Sequence, residues 1–169
     1  MAAVPYLVLV WLHLLAAAVW VGGLAFFVLV LVPELRTRRE GVAALMERLG
    51  YRFRTVGWAV LVFLVLSGLQ LARVRGLDLG APFATALWET DLGHALLAKV
   101  SLVAATLAVS GVHDYYVGPR ATALWQAQRD SAEARRWRAW ARGLGRINML
   151  LAVAVLGAAV CVVRGLPHG

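Results

Sequence analysis

Polar side chains that could do chemistry stand in otherwise apolar stretches of this 169-residue chain. His13, Lys99, His113 and Asp114 lie within such stretches, and His94 lies at the edge of one. Burying a polar or charged group in hydrocarbon costs free energy unless the group has a partner, so such residues are candidates for function. An imidazole can bind a metal or carry a proton, and a lysine ammonium can pair with an anion or donate a proton.

The composition indicates that these residues belong to an integral membrane protein. Hydrophobic residues make up 62% of the chain and charged residues only 15%. A soluble domain is closer to half apolar and one quarter charged. The charged residues also cluster between the apolar stretches instead of being spread along the chain.

Four apolar stretches are long enough to cross a bilayer, which takes about 20 helical residues. A helical bundle is the fold class that satisfies the backbone hydrogen bonds of such spans. We therefore predict an all-α, integral membrane four-helix bundle, a single transmembrane domain over residues 1–169. Its predicted spans are approximately residues 5–32, 56–72, 92–117 and 147–163.

The arginines predict the orientation of the bundle. Six lie between the first and second spans and seven between the third and fourth, whereas the remaining loop holds only Arg73 and Arg75. By the positive-inside rule, both arginine-rich loops are cytoplasmic and both termini face the outer, periplasmic side. We expect a multi-pass protein of the cell inner membrane, with the lipid bilayer and not nucleic acid as the partner of its positive charge.

Helix geometry places His13 and Lys99 at similar depths in the outer half of the membrane. His13 lies roughly 12 Å along its helix from Pro5, and Lys99 roughly 10 Å from Leu92. Small side chains at Ala16 and Ala17 leave room beside His13. Two alternatives remain open: His13 could be a structural histidine that bonds across helices, and Lys99 could extend its ammonium to the outer surface.

The third span carries a polar stripe that we expect to face the bundle interior. The stripe consists of Lys99, Thr106, Ser110 and His113, spaced by seven, four and three residues. His113 lies roughly 21 Å from Lys99, near the cytoplasmic end. His94 points about 140° away from Lys99 on a regular helix, so a metal site shared by His13 and His94 would need an irregular helix start.

The residue types favour haem over a soft-ligand copper pathway. Haem b is held by neutral imidazole, and helical bundles are common haem sites. Copper(I) prefers thiolate and thioether ligands, and the chain has one cysteine and three methionines. Histidine ligation of copper near the outer rim stays open, with His94 and His168 as candidates. There is no CxxCH sequence for covalent haem attachment.

Several segments resemble the copper-resistance D, or CopD-like, membrane family. The segment LHLLAAAVWVGG resembles its first-span signature of His followed by Trp-Gly-Gly, and TDLGHALLAKVSLV is similar to its lysine-containing third span. The segments RFRTVGWAVLVFLVLSGL and RINMLLAVAVLGA look like its second and last spans. The related four-helix protoporphyrinogen oxidases share a first-span histidine and a third-span lysine.

This resemblance implies a haem b ligand at His13 and a functional Lys99. Two segments depart from the oxidase pattern, LVPELR after the first span and GVHDYY at the end of the third. Identical chemistry is therefore not implied.

We predict a membrane haem b-binding redox protein whose site lies in the outer half of the bilayer and could also bind copper. The predicted cofactor-binding residues are His13, Trp20 and His113, the catalytic residue is Lys99, and the metal ligands are His13 and His94. The alternatives are copper handling or transport without catalysis, and a protoporphyrinogen oxidase-like oxidoreductase. A quinol is a candidate electron donor, and a homo-oligomer is compatible with the sequence.

Overall fold

A computed structural model describes residues 3–37, 41–75 and 90–164. Within these ranges the chain is helical apart from short turns, which confirms the predicted all-α class. The helices are α1 (Ala3–Phe26), α2 (Val32–Thr37), α3 (Val42–Val74), α4 (Asp91–Val112), α5 (Gly118–Ala127) and α6 (Ala132–Arg164). Two π-helical turns, Phe27–Leu31 and His113–Val117, join α1 to α2 and α4 to α5.

Four helical segments are long and apolar enough to cross a membrane. They are Val4–Leu35, Ala44–Val74, Asp91–Ala127 and Ala132–Val163. The second and fourth begin well before the predicted residues 56 and 147, because the helix continues through the arginine-bearing segments. Backbone hydrogen bonds sustain a helix beyond the point where its side chains stop being apolar, so the apolar stretch alone marks a shorter span.

The bundle is built from two antiparallel helix pairs. In the first pair, α1 and α3 meet along their length, from Tyr6 and Arg75 at one end to Phe27 and Phe53 at the other. In the second pair, α4 packs against α6. Contacts between α1 and α6 and between α3 and α5 join the two pairs.

The apolar core lies where the two pairs meet. Trp20 and Leu24 of α1 pack with Leu61 of α3 and Ala152 of α6, and Ala152 is fully buried. Outward-facing apolar residues are instead strongly exposed, as at Leu150 (70%) and Trp11 (66%). Such surfaces suit a lipid environment, in which apolar side chains need not be buried within the protein.

Candidate functional site

The imidazole of His13 is held by a hydrogen bond across the α1–α3 interface. Its Nδ1 lies 2.7 Å from the hydroxyl oxygen of Ser67. That hydroxyl lies 2.6 Å from the carbonyl oxygen of Phe63, one helical turn earlier on α3. Ser67 is 4% exposed, so this chain of contacts is inside the protein.

The contacts of Ser67 favour one tautomer of the His13 ring, since its hydroxyl oxygen lies 2.6 Å from the carbonyl oxygen of Phe63 and 3.3 Å from that of Leu64. Two oxygens 2.6 Å apart need a hydrogen between them, and a serine hydroxyl has only one to give. Since that hydrogen points to the carbonyl of Phe63, the Ser67 oxygen accepts from His13, and Nδ1 is the donor. In the neutral ring, Nε2 then carries the lone pair and is the nitrogen able to bind a ligand.

The rest of the His13 ring lies against α3 beside a glycine. A Cβ at Gly68 would touch Cε1 of His13 at 3.5 Å, which is ordinary van der Waals contact. On α1 itself, the half-buried Ala16 and Ala17 lie one turn further along. The ring is itself half-buried, between the fully enclosed core and the surface.

Lys99 contributes a positive charge to the surroundings of this histidine. Its side chain is half-buried on α4, and its positive charge lies within electrostatic range of His13. The charge of Arg75, at the end of α3, lies within range of Lys99. The hydrogen-bonded pair of His13 on α1 and Ser67 on α3 therefore lies in the field of a positive charge on α4.

Trp20 and His94 lie apart from this group. Trp20 is 7% exposed and contributes to the apolar core, so its role beside a cofactor stays a prediction. His94 is exposed on the first turn of α4, which is regular and capped by Thr90, whose hydroxyl accepts from the Gly93 amide. Within the described residues, no group of three or more His, Cys, Asp or Glu side chains could hold a metal ion. The predicted candidate His168 lies outside the described residues.

His113 belongs to a second polar cluster, near the other end of the bundle. Its Nδ1 lies 2.8 Å from one carboxylate oxygen of Asp114. The indole of Trp58 donates to the other carboxylate oxygen at 3.0 Å, and Arg54 donates to the Asp114 backbone carbonyl at 2.9 Å. His113 is roughly 21 Å along the chain from Lys99, so it is not part of the His13 site.

The π-helical turn that begins at His113 shapes this cluster. The backbone N–H of Gly118 donates to the carbonyl of His113, five residues earlier. A Cβ at position 118 would lie 2.9 Å from that carbonyl oxygen, closer than real Cβ atoms approach. Glycine accommodates this close approach, whereas Val32 closes the other π-helical turn, and π-helical turns occur frequently at functional sites.

Sequence reasoning missed the partners of these histidines. Ser67 carries no charge, and serine is common in membrane helices as a packing residue. The sequence feature that could have marked Ser67 is the segment VLSGL, where a small polar residue stands next to a glycine in the middle of a span. The sequence does not mark Trp58 and Arg54 as partners of Asp114, because aromatic and basic residues are expected at the membrane surface in any case.

The polar stripe predicted on the third span does face the interior in its middle part. Thr106 and Ser110 are 2% and 4% exposed, and the amide of Asn148 on α6 donates to Ser110 at 2.9 Å. Lys99 and His113, at the two ends of the stripe, are only half-buried.

Comparison with known proteins supports the resemblance found in the sequence. The family model for copper resistance protein D matches residues 47–162, which include Ser67 and Lys99 but begin after His13. An uncharacterized protein of Aquifex aeolicus (strain VF5) is 25% identical over 142 residues, covering 84% of each chain. No solved structure matches the chain. The chain belongs to the copper resistance protein D family and is a copper-related, multi-pass membrane protein.

Proposed function

We propose that this protein is a membrane redox protein that binds haem b through Nε2 of His13. One observation supports this most directly: Ser67 holds Nδ1 of His13, which leaves Nε2 as the ligand nitrogen. Histidines that bind metals commonly donate their other N–H to a carbonyl, a carboxylate or a water, which fixes the ring and its tautomer. In this chain the hydroxyl of Ser67 is the partner of Nδ1, and it donates its own hydrogen to the backbone carbonyl of Phe63.

A lone imidazole suits haem binding because the porphyrin itself supplies four nitrogen ligands. The imidazole of His13 alone would then be enough to hold the iron. When bound, haem supplies one-electron redox chemistry, which no side chain here provides. The protein's contribution is to orient the imidazole between α1 and α3 and to keep it in the ligand-ready tautomer.

Lys99 is proposed to act on the same site from α4. Its ammonium lies within electrostatic range of His13, so it can pair with an anionic group bound there or donate a proton to it. Replacing Lys99 by methionine should leave binding at His13 in place and slow the redox reaction. His113, held by Asp114 some distance away, is proposed only as a ligand of a separate group.

The proposed site lies in the periplasmic half of the inner membrane. This placement rests on the arginine distribution and on the position of His13 early in α1. It leaves the arginine-rich end, with the His113 cluster, on the cytoplasmic side.

Copper handling without catalysis is the second candidate, and the family match favours it. Nε2 of His13 would then bind copper, and the proposed second ligand His94 could join it only if the start of α4 departed from its regular geometry. A copper ion needs more protein ligands than a haem does, so His94→Ala should weaken copper binding while leaving a haem site unaffected. Protoporphyrinogen oxidation stays a prediction from the family resemblance.

The deciding experiment measures haem and copper in the purified protein. Wild type should show a Soret band and haem by the pyridine haemochrome assay, and His13→Ala should lose both while still inserting into the membrane. His94→Ala, an exposed histidine on another helix, is the matched control and should keep its haem. A colourless wild type containing copper would overturn the haem proposal in favour of copper handling. Full haem in His13→Ala would show that His13 is structural.

A further inference from the structure

The interface between α4 and α6 contains buried polar atoms that no described residue pairs. Thr106, Ser110 and Asn148 are 2%, 4% and 7% exposed. Asn148 donates to Ser110 at 2.9 Å. The hydroxyl of Thr106 and the side-chain oxygen of Asn148 have no hydrogen-bond partner among the described residues.

Exchanging the oxygen and nitrogen of the Asn148 amide does not remove this deficit. In that orientation Ser110 would donate to the amide oxygen, and the amide nitrogen would be the unpaired atom. One amide atom and one hydroxyl group therefore stay unpaired in either case. Leaving such a buried group unpaired destabilises the folded protein, and the hydrocarbon around the bundle offers no partner.

We propose that a single buried water molecule occupies this interface and bridges Thr106 to Asn148. Thr106 and Ser110 are one helical turn apart on the same face of α4, and Asn148 reaches Ser110 from α6. The water accepts from the Thr106 hydroxyl and donates to the Asn148 oxygen, with the Ser110 oxygen as a third partner. Buried waters make about three hydrogen bonds of this kind to otherwise unpaired groups.

The chemistry of the site favours water over a metal cation. The three side chains offer three neutral oxygens at most. Hard cations take about six or more oxygen ligands, several of them charged. A water needs only the partners that are present.

The bridging water gives the α4–α6 pair a defined register. Helices in lipid gain no hydrophobic free energy from pairing, so close packing and polar contacts hold them together. The Asn148–Ser110 hydrogen bond and the water bridge are two polar contacts at neighbouring turns. Together they resist both sliding and rotation of α6 against α4.

A double-mutant cycle tests the bridge, with the unfolding equilibrium measured by SDS titration in mixed micelles. The variants are Thr106→Val, which removes the hydroxyl at nearly constant volume, Asn148→Leu, and both together. With the water present, Thr106→Val should raise the unfolding equilibrium constant about threefold, the average for a membrane hydrogen bond. In the Asn148→Leu background the same change should have no such effect, because the bridge is already broken.

Thr55→Val is the control, since Thr55 is exposed on α3 and bonds only its own helix, at the carbonyl of Tyr51. It should change stability little in either background. If Thr106→Val left the stability unchanged or raised it, the Thr106 hydroxyl would have no hydrogen-bond partner in the folded protein. That result would overturn the proposal. Additive effects of the two changes would also overturn it. Thr106→Ser, which keeps the hydroxyl, should behave as wild type.

Discussion

Replacing Ser67 by alanine should weaken ligand binding at His13 without removing the ligand nitrogen. The change deletes the one acceptor of the Nδ1 hydrogen, 2.7 Å away, and leaves α1 untouched. The ring then loses its preference for the tautomer with a free Nε2. A cofactor that binds Nε2 must then restore that tautomer and orient the ring. The free energy that this requires weakens the binding of the cofactor.

The size of the effect follows from the single hydrogen bond that is lost. Hydrogen bonds between membrane helices contribute on average about 0.6 kcal/mol and at most about 1.7 kcal/mol. At about 1.4 kcal/mol for each factor of ten, the loss corresponds to about 3-fold to 16-fold weaker binding. Losing a supporting hydrogen bond at a metal ligand typically costs about 10- to 100-fold. The two ranges overlap near tenfold, which is the weakening we expect.

The assay is a haem titration of the apoprotein in detergent, combined with nitrogen NMR of 15N-histidine-labelled protein. Ser101→Ala is the matched control, because it makes the same change at an exposed position on α4. In wild type, His13 should carry its hydrogen on Nδ1, and Ser67→Ala should show a mixture of tautomers. The NMR measurement needs no haem, so it tests the tautomer separately from the proposed function. A wild-type His13 with its hydrogen on Nε2, or unchanged affinity in Ser67→Ala, would refute the reasoning.

Two further predictions concern the π-helical turn and the orientation. Gly118→Ala places a Cβ 2.9 Å from the His113 carbonyl, so it should destabilise the protein by about 1–3 kcal/mol in SDS titration. Gly111→Ala, where a Cβ meets nothing within 4 Å, should be neutral or slightly stabilising, and equal effects of the two changes would contradict a special role for the turn. Reporter fusions should be cytoplasmic after Arg129 and periplasmic after Gly80. A cytoplasmic reporter after Gly80 would reverse the orientation and move the His13 site to the inner half.

The helical class and the four spans could be predicted from the sequence because lipid imposes one strong rule. A long apolar segment must satisfy its own backbone, so its composition alone indicates a helix. The burial of Thr106 and Ser110 was predictable for a related reason, since helical spacing places them on one face. The helix ends were less predictable, because arginines at 48, 52 and 54 interrupt the apolar pattern without interrupting the helix.

The partners of the polar residues could not be predicted in the same way. Ser67 meets His13 because α1 and α3 pair in one particular register, and register depends on side-chain packing along both helices. Trp58 meets Asp114 for the same reason, at the interface between α3 and the third span. Sequence spacing gives the face of each residue but not the residue opposite it on another helix.

Both antiparallel helix pairs of the bundle contain an interhelical polar contact, and this affects how the His13 experiments are interpreted. His13–Ser67 joins α1 to α3, and Asn148–Ser110 joins α4 to α6. His13→Ala therefore removes a helix–helix contact as well as the proposed ligand, so a loss of haem could reflect a loosened bundle.

Comparison of His13→Ala with Ser67→Ala separates the two causes. Both variants lose the same interhelical hydrogen bond, so their unfolding equilibria in SDS should shift by similar amounts. Only His13→Ala also loses Nε2. We expect Ser67→Ala to retain haem at saturating concentration and His13→Ala to retain none. If both variants lost haem completely, the hydrogen bond would be required to maintain the site, and the assignment of Nε2 as the ligand would lose its main support.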